Sequence, residues 1–192
     1  MQHSEAPWIE LRKAEAALNR MQGATHDEAG RLAAWVDFLH AIERVWNKAC
    51  AHFKRSPKWS NWHHQYDQAR RSDELLAYLI KARGREEHDV SPVAWTMPPY
   101  SSADRADGGL FTLESVRFSE VGIPTFNVPV NINHQVAEVM PVPIDVRGRR
   151  YPPPTSHLGR RLPPGDLAIA DAGLAYYRAF LLAAEEKFVA AG

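Results

Sequence analysis

Residues 25–57 read THDEAGRLAAWVDFLHAIERVWNKACAHFKRSP. Leu32, Trp35, Val36, Leu39, Ile42, Trp46, Ala49 and Phe53 recur at intervals of three and four, which is the period of one helix face. Thr25 with Glu28 three residues on predicts a capping box at the start. Ser56-Pro57 stops the helix, because proline has no N–H to donate. At 1.5 Å per residue this element is about 40 Å long. A helix of that length with one apolar stripe suits the long member of a helical bundle.

The flanking segments agree. Trp8, Leu11, Ala14, Leu18 and Met21 predict a first helix over residues 8–21, closed by Gly23. Trp59, Trp62 and Tyr66 predict a short third helix with an aromatic ridge. A fourth begins at Ser72 or Asp73, turns Leu75, Leu76, Leu79 and Ile80 inward, and frays near Gly84 or stops before Ser91-Pro92. The period then changes from 3.6 to 2. Phe126, Val128, Val130 and Ile132 alternate with polar residues or proline, as do Val142, Ile144 and Val146, and residues 110–119 also look extended. Pro129, Pro141 and Pro143 make these strands edges or bulges. Residues 147–165 carry prolines and five arginines without an acid, and read as a loop or polyproline stretch. Asp166 caps a last helix to about Val189, whose face is Leu174, Tyr177, Leu181, Ala184 and Phe188.

The expected fold is therefore mainly α. A helical bundle occupies residues 1–91, an irregular and β-rich lobe residues 92–165, and a C-terminal helix, residues 166–192, packs back on the bundle. The 192 residues are 45% hydrophobic and 24% charged, which excludes a disordered chain, a collagen-like repeat and a disulfide-stapled miniprotein. Cys50 is the only cysteine, so no internal disulfide forms and a reducing, cytoplasmic setting is expected. No run of about 18 apolar residues predicts a membrane span. The first residues lack the basic and apolar segments of a secretory signal.

The formal net charge is zero, but it is segmented. Residues 40–88 carry +4, residues 89–145 carry −5, and residues 146–165 carry +5. A neutral chain has no long-range field toward nucleic acid, yet a local basic face can contact phosphates. Candidate contacts are Lys58, Trp62, Arg70 and Arg71 around the aromatic ridge, with Arg149 and Arg150 in the basic loop. Aromatics among cations can stack on unpaired bases, and the same stripe also serves as core. No phosphate-binding glycine loop, nucleophile elbow or metal-ligand spacing is present. His63 and Asp67 lie one turn apart without further ligands, so neither metal nor cofactor is expected. Cys50 lies beside the apolar stripe and reads as a buried thiol.

Residues 73–90 contain Leu-Leu-x-Tyr-Leu-x-x-Ala-Arg-x-x-x-Glu-His, which resembles a segment of uncharacterised bacterial and phage proteins. More distantly it resembles the HEPN superfamily, whose helical bundles carry Arg-x(4–6)-His. Three pairs fit that spacing, Arg20/His26, Arg83/His88 and Arg150/His157, and only the second ends an apolar helix. The resemblance implies a metal-independent endoribonuclease built by two bundles in a homodimer. In it His88 is the general acid or base and Arg83 holds the phosphate. The alternative reading makes Arg83 and Glu87 an i, i+4 surface pair, with His88 complementing the helix C-terminus. A second function class is also expected, a non-enzymatic dimeric module whose edge strand over residues 126–132 accepts a protein partner.

Overall fold

A computed structural model describes residues 1–88, 92–112 and 114–189, with the side chains of Glu87 and His88 outside the described residues. The fold is mainly α. Helix α1 (Glu5–Gly23) pairs extensively with α2 (Glu28–Phe53), and α3 (Trp59–Ser72) leads into α4 (Glu74–His88). Helix α5 (Asp166–Phe188) returns to pack on α1, α2 and α4.

The stripe of α2 is the centre of the core. Trp35, Phe38, Leu39, Ile42 and Val45 are buried against Leu11, Ala14 and Met21 of α1 and against Leu75, Tyr78 and Leu79 of α4. From α5 come Ile169, Tyr177, Phe180 and Leu181. A Cβ at Gly173 would meet Leu79 Cδ1 at 2.8 Å, so the glycine sets how closely α5 approaches α4. Trp59 and Trp62 pack with Phe53, Phe180 and Phe188, which makes the aromatic ridge a core edge.

The start of α2 differs from the expected capping box. Asp27, not Thr25, caps the helix, its carboxylate accepting the Gly30 N–H at 2.8 Å. A side chain at residue 30 would collide with that carboxylate, so Gly30 makes the cap possible. The Thr25 carbonyl is used elsewhere, accepting the Ala137 N–H at 2.8 Å. At α4, Asp73 accepts the Leu76 N–H at 3.1 Å, and the helix continues through Gly84 to His88. Ser91, the latest expected stop, lies outside the described residues.

Between α4 and α5 the described residues form two-stranded antiparallel ladders. Strands β1 (Ala94–Met97) and β2 (Tyr100–Arg105) run outward, β3 (Val116–Phe118) and β4 (Pro124–Phe126) form the tip, and β5 (Val130–Gln135) and β6 (Glu138–Pro141) return. The pairings β1–β6, β2–β5 and β3–β4 are nested, giving one long ribbon, or arm. Its base is buried at Ala94, Ala137 and Val139, whereas β2 and β5 are largely exposed. The expected edge strand over residues 126–132 is interrupted at 127–129 between β4 and β5, and Pro129, expected to make an edge or bulge, has no N–H for a ladder.

A buried latch holds the arm's base. The Arg31 guanidinium donates to both Asp166 carboxylate oxygens, at 2.7 and 2.8 Å, and to the Ala137 carbonyl at 2.6 Å. Arg31 and Asp166 are 4% and 2% exposed. Aspartate at the first turn of α5 also faces the positive end of the helix dipole.

The basic stretch is not the expected loop or polyproline segment. It holds two tight hairpins, β7 (Ile144–Val146) with β8 (Arg149–Tyr151), and β9 (Ser156–His157) with β10 (Arg160–Arg161). Both turn on a residue–glycine pair at positive φ: Arg147 at 50° with Gly148 at 76°, and Leu158 at 47° with Gly159 at 76°. That is the geometry whose twist matches paired strands.

Helix α5 is long and apolar enough by composition to cross a membrane. Asp171 and Arg178 interrupt its apolar residues. Here one of its faces lies in the core.

Candidate nucleic-acid interface

The β7–β8 hairpin lies beside the C-terminal half of α4, and a groove of about 480 Å³ runs between them. Lys81, Arg83 and Arg85 line it from α4, with Asp145 and Arg147 from the hairpin. Tyr151 extends this surface around the hairpin. Its ring centre lies 5.6 Å from the Lys81 ammonium and 5.0 Å from the Arg149 guanidinium, both cation–π contacts. A smaller depression of about 140 Å³ follows, lined in part by Arg71, Arg149, Arg150 and Tyr151. Arg71, Arg147, Arg149 and Arg150 are all exposed.

Neighbouring carboxylates are already engaged. Glu74 accepts the N–H groups of Thr155 and Ser156 and the Thr155 hydroxyl, each at 3.1 Å. Those bonds, the Thr155 N–H foremost, hold its carboxyl below the usual range. Asp73 faces His157 Nδ1 at 2.9 Å and accepts the Leu158 N–H at 2.7 Å. Glu86 lies 2.5 Å from His40 Nε2. Among the described residues, the groove is also lined by Asp145, 4.0 Å from Arg150.

Arg147 is the strained member. A non-glycine residue at positive φ is unfavourable by about 1–2 kcal/mol, and asparagine or glycine usually fills this turn position. An arginine held there over a basic groove is a local outlier of the kind that concentrates at functional sites.

The candidate contacts are distributed unequally. Arg83, Arg149 and Arg150 meet on this surface, and Arg71 lies at its rim in an ion pair with Asp67 at 2.6 Å. Lys58 is exposed at the start of α3, and Trp62 is half-buried in the aromatic core edge. Arg70 corrects the expectation of a phosphate contact. It is 5% exposed, donates to both Glu43 oxygens at 2.8 and 3.0 Å and to the Tyr177 hydroxyl, and lies 4.2 Å over the Trp46 ring. Its charge is neutralised inside the fold.

His88 ends α4, and its side chain lies outside the described residues. Because α4 is unbroken, position 88 lies about 140° around the helix axis from position 83. Cys50 Sγ lies 3.6 Å from His63 Nε2. Burial pushes the thiol up to about 11 and lowers the imidazole, so both are neutral near pH 7 and the thiol is poorly nucleophilic.

Lys81, Arg85, Arg147 and Tyr151 escape a reading of sequence alone. Lys81 and Arg85 have an i, i+4 spacing, and Arg147-Gly148 matches a hairpin turn preceded by the alternating Val142, Ile144 and Val146. Those local signals do not say that hairpin and helix lie together. No protein-family model, curated protein or solved structure matches the chain.

Proposed function

We propose that this protein binds single-stranded RNA along the surface formed by α4 and the β7–β8 hairpin. The observation that carries the reading is the convergence of Lys81, Arg83, Arg85 and Arg147 on one groove. Arg149 and Arg150 continue the positive potential around the hairpin. Cations spaced along a groove neutralise successive phosphates and release their counterions, which supplies affinity without base readout. The helices then act as a bundle, and the strands before α5 as an insertion that presents cations to the backbone.

The resemblance to the HEPN superfamily adds a catalytic form of the same reading. The twist between positions 83 and 88 separates the two within one α4. Metal-free cleavage would therefore draw Arg83 and His88 from two chains facing each other. Binding by the groove does not depend on that step.

Fluorescence anisotropy with a labelled unstructured RNA tests the proposal. Binding is expected at low salt and weakens steeply as salt rises. Replacing Arg147, Arg149 and Arg150 by alanine removes three contacts and flattens the slope of log K against log salt by about 2. Absence of binding by the wild-type chain at low salt, or an unchanged slope in the triple variant, overturns it. The same RNA incubated in EDTA with wild type and His88→Ala tests cleavage separately: loss of product in the variant supports the catalytic form.

A further inference from the structure

The outer half of the arm is a two-stranded ribbon whose strands have no extensive packing against the helices. Isolated ribbons of this kind are marginal in water, and a third strand or a covering surface normally completes them. The arm also exposes apolar side chains that a monomer usually buries. Phe118 is 70% exposed, Ile123 61% and Ile132 55%. With Phe111 and Phe126 they line a groove of about 560 Å³ on one face of the ribbon.

The two edges of the ribbon differ. Strand β2 carries Asp104 and Arg105 and follows Pro98-Pro99, and charge and proline are devices that discourage edge pairing. Strand β5, Val130-Asn-Ile-Asn-His-Gln135, has no formal charge and no proline, and five of its six residues are exposed. The Ala106 N–H donates to the Pro129 carbonyl at 2.9 Å, which sets the alternation of the ladder. In the observed register Asn131, Asn133 and Gln135 thus turn their backbone groups to β2. Val130, Ile132 and His134 turn theirs outward, to an edge that no strand occupies among the described residues.

That edge is complementary to itself. If two β5 strands meet antiparallel about a two-fold axis at Ile132, the isoleucines face each other and each exchanges both backbone hydrogen bonds with its counterpart. Val130 then faces the partner's His134, and Asn131 faces the partner's Asn133. No like charges are opposed, and the apolar faces of both ribbons join across the axis. Such an isologous interface is the commonest kind in soluble dimers. We infer that the arm is a dimerisation device, in which β5 pairs with β5 of a second copy to form a four-stranded sheet whose shared face sets the Phe118, Ile123 and Ile132 surfaces of both copies side by side. This inference is independent of the RNA reading.

Sedimentation equilibrium of the full chain, carried to about 100 µM, tests it. The wild-type chain is expected to dimerise. Ile132→Lys, which places two ammonium groups against each other at the axis, is expected to sediment as a monomer with unchanged helical circular dichroism. In a Cys50→Ser background, Ile132→Cys is expected to form a disulfide dimer on mild oxidation. Hydrogen-bonded antiparallel partners have Cα atoms about 5.5 Å apart, within the disulfide range. Ser102→Cys, on the other strand, is expected to remain monomeric under the same treatment. A monomeric wild type, a dimer that survives Ile132→Lys, or equal cross-linking at residues 102 and 132 overturns the inference. The second result would place the dimer contact on the helices, and the first would leave the edge to a different protein.

Discussion

Arg147→Asn separates the stability of the β7–β8 turn from the use of its arginine. Arg147 has φ of 50° and is followed by Gly148 at 76°, a turn in which asparagine is a preferred first central residue. An ordinary L-residue in this region is unfavourable by about 1–2 kcal/mol. Asparagine removes part of that strain, roughly 0.5–1 kcal/mol, taking the scale of conformational substitutions at compatible sites. For a chain of this size each kcal/mol moves Tm by about 2–4 °C, so a rise of about 1–4 °C is expected. The Arg147 side chain is exposed, so little packing is lost. RNA affinity should move the other way, with the salt slope smaller by about 0.7 for the one phosphate contact removed.

Leu158→Asn is the matched control. Leu158 occupies the same turn position of the β9–β10 hairpin, at φ 47°, and is exposed. It should stabilise comparably and leave RNA binding unchanged. Differential scanning fluorimetry and anisotropy titrations read both effects. If Arg147→Asn lowers Tm, the strain argument is refuted. If it raises Tm without altering the salt slope, the strained arginine does not serve the groove.

Two further outcomes follow from the interior. Asp166→Asn leaves the Arg31 guanidinium buried beside a neutral partner, a loss typically of about 3–5 kcal/mol, and Tm should fall by roughly 6–20 °C. A shift under about 2 °C would show that the latch is not needed to hold the fold. His63 gives a pH signature. Burial holds its imidazole below the ordinary 6.5, so the unfolded chain takes up a proton first as pH falls. The stability it contributes is full above pH 6.5 and declines as pH drops from there to the folded value, then levels off. Urea unfolding of wild type and His63→Gln across that window should show the steeper decline in wild type, whereas parallel profiles would contradict the assignment.

The helices were legible in the sequence because their signals are local. A stripe from Leu32 to Phe53 must bury one face whatever surrounds it, and Trp59, Trp62 and Tyr66 at helical spacing join the same core edge. Termini were less legible. Thr25 and Asp27 are both competent caps; in the fold Asp27 takes the role against Gly30, and the Thr25 carbonyl accepts the Ala137 N–H of the arm. Strand alternation and its prolines identified irregular extended chain but not its nested pairing, since partners such as Ala94 and Pro141 lie far apart in sequence.

The charges show the same division. A basic stretch over residues 146–165 is a property of composition, and the sequence alone determines that Arg149 and Arg150 are close together. Composition cannot say which arginines meet solvent. Arg70 and Arg71 are adjacent in the chain, yet one is enclosed by Glu43, Trp46 and Tyr177 while the other is exposed at the rim of the basic surface. A helix turns about 100° per residue, and only tertiary packing decides which of two neighbours faces the core. The groove between α4 and the β7–β8 hairpin arises in the same way: local patterning determines the elements, while long-range contacts between residues some 60 positions apart bring Lys81, Arg83 and Arg85 to Arg147.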